Sequence, residues 1–336
     1  MKKVIVDIYG ADAGHDPVIK GSLRALSDFS DLSLVLVGDP EDIKRAAESV
    51  EYDATRTEIV ASDDVITNHD QPSEVFSGRN TSSMVLALER LKSDNDCIGL
   101  ISAGNTGSLL VGSIFRLGLI KGLKMPALGS LIPIADGKNV LIADCGANLD
   151  CTAKQLEEFA VMGNAFFSCV EGVKDPKVGL LSVGREDEKG NRLTKEAFGL
   201  ISGLGLNFIG NIEGTDPVTG EADVIVTDGF AGNILLKNTE AVGKSAVAAV
   251  EEAMAKASDY ECRALAEVRD RLKNAFDFNP RGGGTFLGTK KPVVKMHGAL
   301  NESTARSCIG QIMRLADTGF TERISEALAR IKQTEQ

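Results

Sequence analysis

Glycine and asparagine recur together at four places where an apolar run ends. The segments are 102–107 (SAGNTG), 144–148 (DCGAN), 183–191 (VGREDEKGN) and 228–233 (DGFAGN). Glycine lets a backbone approach a ligand closely, and a helix that starts there offers unpaired N–H groups to an anion. Asn105, Asn148, Asn191 and Asn233 add neutral donors and acceptors. Each segment alone also reads as an ordinary turn with a helix cap; the fourfold recurrence favours a ligand. Lys189 in EKGN supplies a cation to one of these loops, or is a solvated loop lysine. His297 follows the apolar run 293–296 and is a candidate proton donor, although a lone histidine at a strand end is commonly structural. His15 and His69 have no partners at metal-ligand spacing, so no metal is expected. Cys145 and Cys151 flank the GAN turn with no evident base or cation, which argues against a cysteine nucleophile.

The elements that position these residues are read from periodicity. Short apolar, β-branched runs predict strands over 3–8, 32–37, 58–61, 97–101, 139–143, 178–182 and 224–227. Helical spacing predicts helices over 17–26, 41–49 and 81–91, the last with Thr81 or Ser82 as its cap. Such alternation implies an α/β fold with a mainly parallel sheet covered on both faces. All loops after parallel strands emerge at one edge, where ligands bind in this architecture. Toward the carboxyl terminus, Leu265, Val268, Leu272 and Phe276 form a helical stripe suited to packing. The segment 281–288 (RGGGTFLG) reads as a flexible loop, 292–296 as a strand and 301–332 as one or two amphipathic helices.

Composition narrows the function classes. With 43% hydrophobic and 25% charged residues, the 336-residue chain has material for a large core. The net charge of -11 argues against general affinity for nucleic acid or anionic membrane. The six scattered cysteines form no CxxC pair and fit free thiols in a reducing cytoplasm. The start, MKKVIVD, reaches Asp7 after four apolar residues, too short for a signal-peptide core, and no run approaches the roughly 18 apolar residues of a membrane helix. A nicotinamide dehydrogenase is disfavoured, because residues 9–14 read YGADAG and not GxGxxG.

Six motifs in order then resemble the PlsX-type phosphate acyltransferase family: SAGNTG, GANLDC (146–151), EKGN (188–191), FIGNIEG (208–214), DVIVTDGFAGNILLK (223–237) and FLGTKKPVVKMHG (286–298) with Asn301. The resemblance runs from about residue 3 to residue 315. It implies one Rossmann-like three-layer α/β/α sandwich over 1–336, similar to isopropylmalate dehydrogenases and phosphotransacetylases, with a helical protrusion around 240–280. It also implies a cytoplasmic homodimer, no cofactor, and transfer of an acyl group from acyl carrier protein to phosphate in phospholipid synthesis. On this resemblance Lys189, Asn233 and His297 are the catalytic candidates. Asp7, Gly10, Ser102, Gly104, Asn105, Thr106, Asn148, Asn211, Glu213, Asp228 and Lys237 are candidates for binding phosphate or substrate, with Asp228 orienting Lys237 or Asn233.

The chain departs from the family pattern at several positions. The amino-terminal DAMGGD is DIYGAD here, the arginine of RPA is Met125, the arginine of EGRD is Thr215, and a glutamate of GEE is Arg185. The segment 251–277 is more polar than the apolar tip with which family members touch membrane, which argues against membrane association and a long-chain substrate. A paralogue using a short-chain thioester, and a non-catalytic scaffold for acyl carrier protein, are the competing readings.

Overall fold

A computed structural model describes residues 1–76, 78–134, 138–277 and 281–334. In chain order its first elements are β1 (Lys2–Asp7), α1 (Asp16–Ala25), β2 (Leu32–Gly38), α2 (Pro40–Ala47), β3 (Thr57–Ala61), α3 (Ser83–Ser93), β4 (Cys97–Ser102) and α4 (Thr106–Gly112). There follow β5 (Ala127–Pro133), β6 (Asn139–Ala143), α5 (Ala153–Glu171), β7 (Val178–Leu181), α6 (Arg192–Ser202), β8 (Phe208–Ile212), α7 (Asp216–Thr219) and β9 (Val224–Val226). The last are α8 (Gly229–Met254), α9 (Asp259–Phe276), β10 (Gly284–Leu287), β11 (Val293–Lys295), α10 (Glu302–Asp317) and α11 (Phe320–Thr334). These elements form two compact units. The described residues within 1–129, 168–173 and 279–336 make the first, and those within 130–167 and 174–278 the second.

In the first unit the strand order is β3-β2-β1-β4-β11-β10, with residues 127–129 of β5 beside β10. All pairs are parallel except those of β10 with its two neighbours. Val4, Ile5 and Val6 are fully buried, as a parallel strand covered on both faces requires. Apolar side chains of α1, Val18, Ile19 and Leu23, join β1, β2 and Ile309, Ile312 and Met313 of α10 in one core. Gly21 lets α1 approach the backbone of Glu302, and an alanine there would meet that carbonyl. Asp39 caps α2, accepting from Glu41 N at 2.8 Å, with Pro40 in the first turn.

The second unit orders its strands β6-β9-β7-β8, all parallel, with residues 130–133 of β5 antiparallel to β6. Phe159, Met162 and Phe166 of α5 are fully buried, and Gly163 brings that helix against Val224. The paired helices α8 and α9 meet where Gly243 admits the Phe276 ring.

The mainly parallel α/β architecture agrees with the alternation in the sequence, and most predicted elements fall within two residues of their observed ends. Four local expectations are corrected. The glycine-rich segment 281–288 is not all loop, because 284–287 is the fully buried strand β10. Both β5 and β8 lack a predicted counterpart. Ser82 occupies the cap position of α3, yet its hydroxyl donates to Arg79 O at 2.8 Å and caps nothing. The α9 stripe packs only partly: no α9 residue is fully buried, and Val268 stays exposed.

Candidate active site

The first unit reverses its topology between β1 and β4. The chain builds β1, β2 and β3 outward, then returns to lay β4 on the other side of β1, and such a switch point opens a crevice at the carboxyl ends of the two strands. Asp7 and Ser102 are the last register pair of these strands. Asp7 is 1% exposed and accepts from Ser102 Oγ at 2.7 Å, while Gly104 N donates to Ser102 Oγ at 3.1 Å. Burial pushes the Asp7 carboxyl above its ordinary value, against opposing pulls from Ser102, Ser83, the Tyr9 amide and the Lys295 charge. Gly10 has φ +98°, and a β-carbon there would lie 2.5 Å from the Ala103 and Gly104 backbone, so the two turns touch.

Lys295 escaped sequence reasoning. It ends β11 in register with Ser102, and its ammonium donates to Ala103 O at 3.1 Å and Met296 O at 2.5 Å. The available signal was a lysine inside the buried run VVKM, where a charge needs a purpose. His297 follows two residues on, half-buried, at the same edge. Asn105 caps α4, its Oδ1 accepting from Ser108 N at 2.8 Å, and Thr106 opens that helix.

The second unit brings the turns 144–148, 183–191 and 228–233 to one edge, at the carboxyl ends of β6, β7 and β9. A cleft of about 310 Å³ lies there, with Leu156, Leu181 and Val183 as apolar lining and Asn191, Thr194 and Asp228 as polar lining. Asn191 caps α6 by accepting from Thr194 N at 2.9 Å, and Asp228 caps α8 by accepting from Ala231 N at 2.8 Å. Lys189 is exposed and precedes Gly190, which lines the cleft. Its ammonium has no ion-pair partner among the described residues. Asn233 lies in the second turn of α8, exposed, its side chain without a hydrogen-bond partner among the described residues. It stands over the 144–148 turn, with Oδ1 3.7 Å from where a β-carbon on Gly146 would be.

Other candidates hold the loops in place. Asp144 accepts from Gly146 N at 3.1 Å, Ala147 N at 3.0 Å, Asn148 N at 2.7 Å and Asn148 Nδ2 at 2.7 Å, so the Asn148 amide stabilises its own turn. Asn211, 4% exposed, donates to Glu186 O at 2.8 Å and anchors the 183–191 turn. Glu213 faces Arg185 at 3.7 Å. Lys237 pairs with Glu240 at 2.8 Å, and Asp228 does not reach it. Burial and Asp144 push the Cys151 thiol up to about 12 and Cys145 well up, which leaves both protonated near neutrality.

The family model described as "Fatty acid synthesis protein" matches residues 2–323. The chain belongs to that family. It is the PlsX-type family that the motifs resemble. The chain is 35% identical to the phosphate acyltransferase of Clostridioides difficile (strain 630) over 333 residues, covering 98% of this chain and 97% of the relative. The phosphate acyltransferase of Bacillus cereus (strain B4264) is likewise 35% identical, with 98% of each chain covered. Among solved structures, a phosphotransacetylase from Streptococcus pyogenes has TM-score 0.64 at 16% identity, covering 98% of this chain and 94% of its own. A branched-chain phosphotransacylase from Enterococcus faecalis V583 has TM-score 0.55 at 17% identity, covering 94% and 100%. Both share the fold. Among the described residues no helix is long and apolar enough to cross a membrane.

Proposed function

We propose that the protein is a phosphate acyltransferase that takes its acyl group from acyl carrier protein, acting as a cytoplasmic homodimer without a cofactor. The names of its relatives and the ordered motifs support the reaction class. The observation that carries the reading is the Lys189 ammonium, without an ion-pair partner among the described residues, on a turn that lines the second unit's cleft.

A phosphate oxygen attacks the thioester carbonyl carbon, and the carbonyl electrons collect on oxygen. They return as the C–S bond breaks, leaving acyl phosphate and a carrier thiolate that takes up a proton. Phosphate is already nucleophilic near neutrality, so positioning and electrostatics suffice and no covalent enzyme intermediate is needed. Lys189 and the Asn233 amide are assigned to phosphate and the developing oxyanion. In the first unit, the 102–107 turn with Asp7 and Gly10 is the alternative phosphate cradle, with His297 at the same edge as its proton donor. Asn148, Asn211 and Asp228 act on substrate through the turns they hold, Glu213 acts through Arg185, and Lys237 is held by Glu240.

Hydroxylamine trapping of acyl phosphate tests this with acyl carrier protein donors of short and long chain. Wild type is expected to form product, and Lys189→Ala to lose about 10²-fold in kcat. Absence of product from every donor would leave a scaffold and reject the enzyme reading.

A further inference from the structure

Besides Asn211, a second side chain, Arg185, ties down the turn that carries Lys189. Arg185 Nη1 pairs with Glu221 Oε2 at 2.5 Å, its Nη2 lies 3.4 Å from Asp216 Oδ1, and its Nε lies 3.7 Å from Glu213 Oε2. The three carboxylates belong to the segment 213–221, which also supplies Gly214 to the cleft. Asp216 is fully buried, and its other carboxylate oxygen accepts from Glu213 N at 2.7 Å, which fixes the acid cluster to its own backbone. Next to Arg185, the Glu186 carbonyl accepts from Asn211 Nδ2 at 2.8 Å and from Lys189 N at 3.0 Å. A short bonded path therefore runs from the acid cluster to the Lys189 backbone.

We propose that Arg185 is a positioning residue of the acyl-transfer reaction. Its guanidinium latches the 183–191 turn to the 213–221 segment, so that two borders of the cleft keep their spacing and Lys189 its aim. The inference rests on the acyl-transfer reading above. Half-exposed ion pairs add little to stability, whereas a planar guanidinium shared by three carboxylates fixes direction. Small displacements of a positioned cation cost rate rather than fold.

Steady-state kinetics with acyl carrier protein thioester and phosphate test the latch on Arg185→Lys, Arg185→Glu, Glu221→Arg and the double swap. Arg185→Glu is expected to lower kcat about tenfold with little change in the KM for the acyl donor. Arg185→Lys should keep part of that loss restored, and the double swap should recover most of it. Amide hydrogen exchange over 183–191 is followed in the same proteins, rising in Arg185→Glu and falling back in the double swap. Glu221→Gln, which leaves Asp216 in place, serves if the reversal does not fold. Wild-type kcat in Arg185→Glu, or a double swap as slow as its parents, overturns the proposal. Should wild type make no acyl phosphate, the acyl-transfer reading fails by itself, and exchange unaffected by Arg185→Glu then overturns the latch as well.

Discussion

Ser102 donates its hydroxyl to the Asp7 carboxylate at 2.7 Å, joining the last residues of two neighbouring parallel strands at the point where the topology reverses. The bond does two things at once. It holds the 102–107 turn at a fixed height above β1, and it partly compensates a carboxyl group that is almost wholly out of water.

That burial makes stability depend on pH in a definite direction. The folded pKa of Asp7 is raised, so the native state holds its proton more tightly than the unfolded chain. Stability contributed by Asp7 is therefore full below the ordinary carboxylate value and falls as pH rises toward the folded value. Asp7→Asn removes this dependence. The melting-temperature difference between Asp7→Asn and wild type should move in favour of the variant as pH goes from about 4 to about 8. A difference constant across that range would mean that Asp7 titrates alike in both states.

The contact of the first two turns makes Gly10 intolerant of any side chain. Gly10→Ala combines a positive φ with a β-carbon 2.5 Å from backbone atoms of Ala103 and Gly104. A loss of about 1–3 kcal/mol is expected in denaturant unfolding, together with a raised KM for phosphate. Gly14, also at positive φ but with open space around it, is the control: Gly14→Ala should cost less and leave KM alone.

How far the sequence carries this picture depends on the length scale of the signal. Strands such as 139–143 were legible because a run of apolar residues buried on both faces has only one home in a parallel sheet. β10 was not, since three successive glycines mask a strand that is buried between β5 and β11 and beneath Gln311 of α10. The Gly/Asn turns were found from local composition, but their chemistry divided only with coordinates. Asn105, Asn191 and Asp228 spend an oxygen on helix caps, Asn148 donates to the Asp144 carboxylate, Asn211 holds the Glu186 carbonyl, and Asn233 stays exposed over the 144–148 turn. Lys295 and Arg185 were missed for a common reason. The partners that give each its role, Ala103 for Lys295 and the 213–221 carboxylates for Arg185, lie far away in the chain, and no spacing rule reports that.

Cys151 sits close enough to the 144–148 turn to tempt a covalent mechanism, and its environment forbids one. With the thiol at about 12, only about one molecule in 10⁵ carries a thiolate at pH 7. Cys151→Ala should retain kcat within about twofold, and iodoacetamide should label Cys151, read by peptide mass, slowly compared with a small-molecule thiol. Rapid labelling that acyl donor protects against would reverse this conclusion.

Lys295 offers the closest probe of the first unit's crevice, because it couples two groups through its charge and its hydrogen bonds. Its ammonium donates to the Ala103 carbonyl at the start of the turn assigned to phosphate, and its charge lowers the cost of ionising Asp7. Lys295→Met strips the donor from a part-buried carbonyl, with an expected stability loss of about 1–3 kcal/mol. It also removes the cation, so the Asp7 carboxyl moves further up and its deprotonation becomes more costly. The two residues should then be non-additive. In an Asp7→Asn background the same lysine substitution has no carboxylate to strand, and its effect on stability at pH 8 should shrink by about 0.5 kcal/mol or more. A double-mutant cycle by denaturant unfolding at pH 5 and pH 8 measures this directly, with the larger coupling expected at the higher pH where Asp7 is closer to ionised. Equal coupling at both values would show that the pair interacts through packing alone.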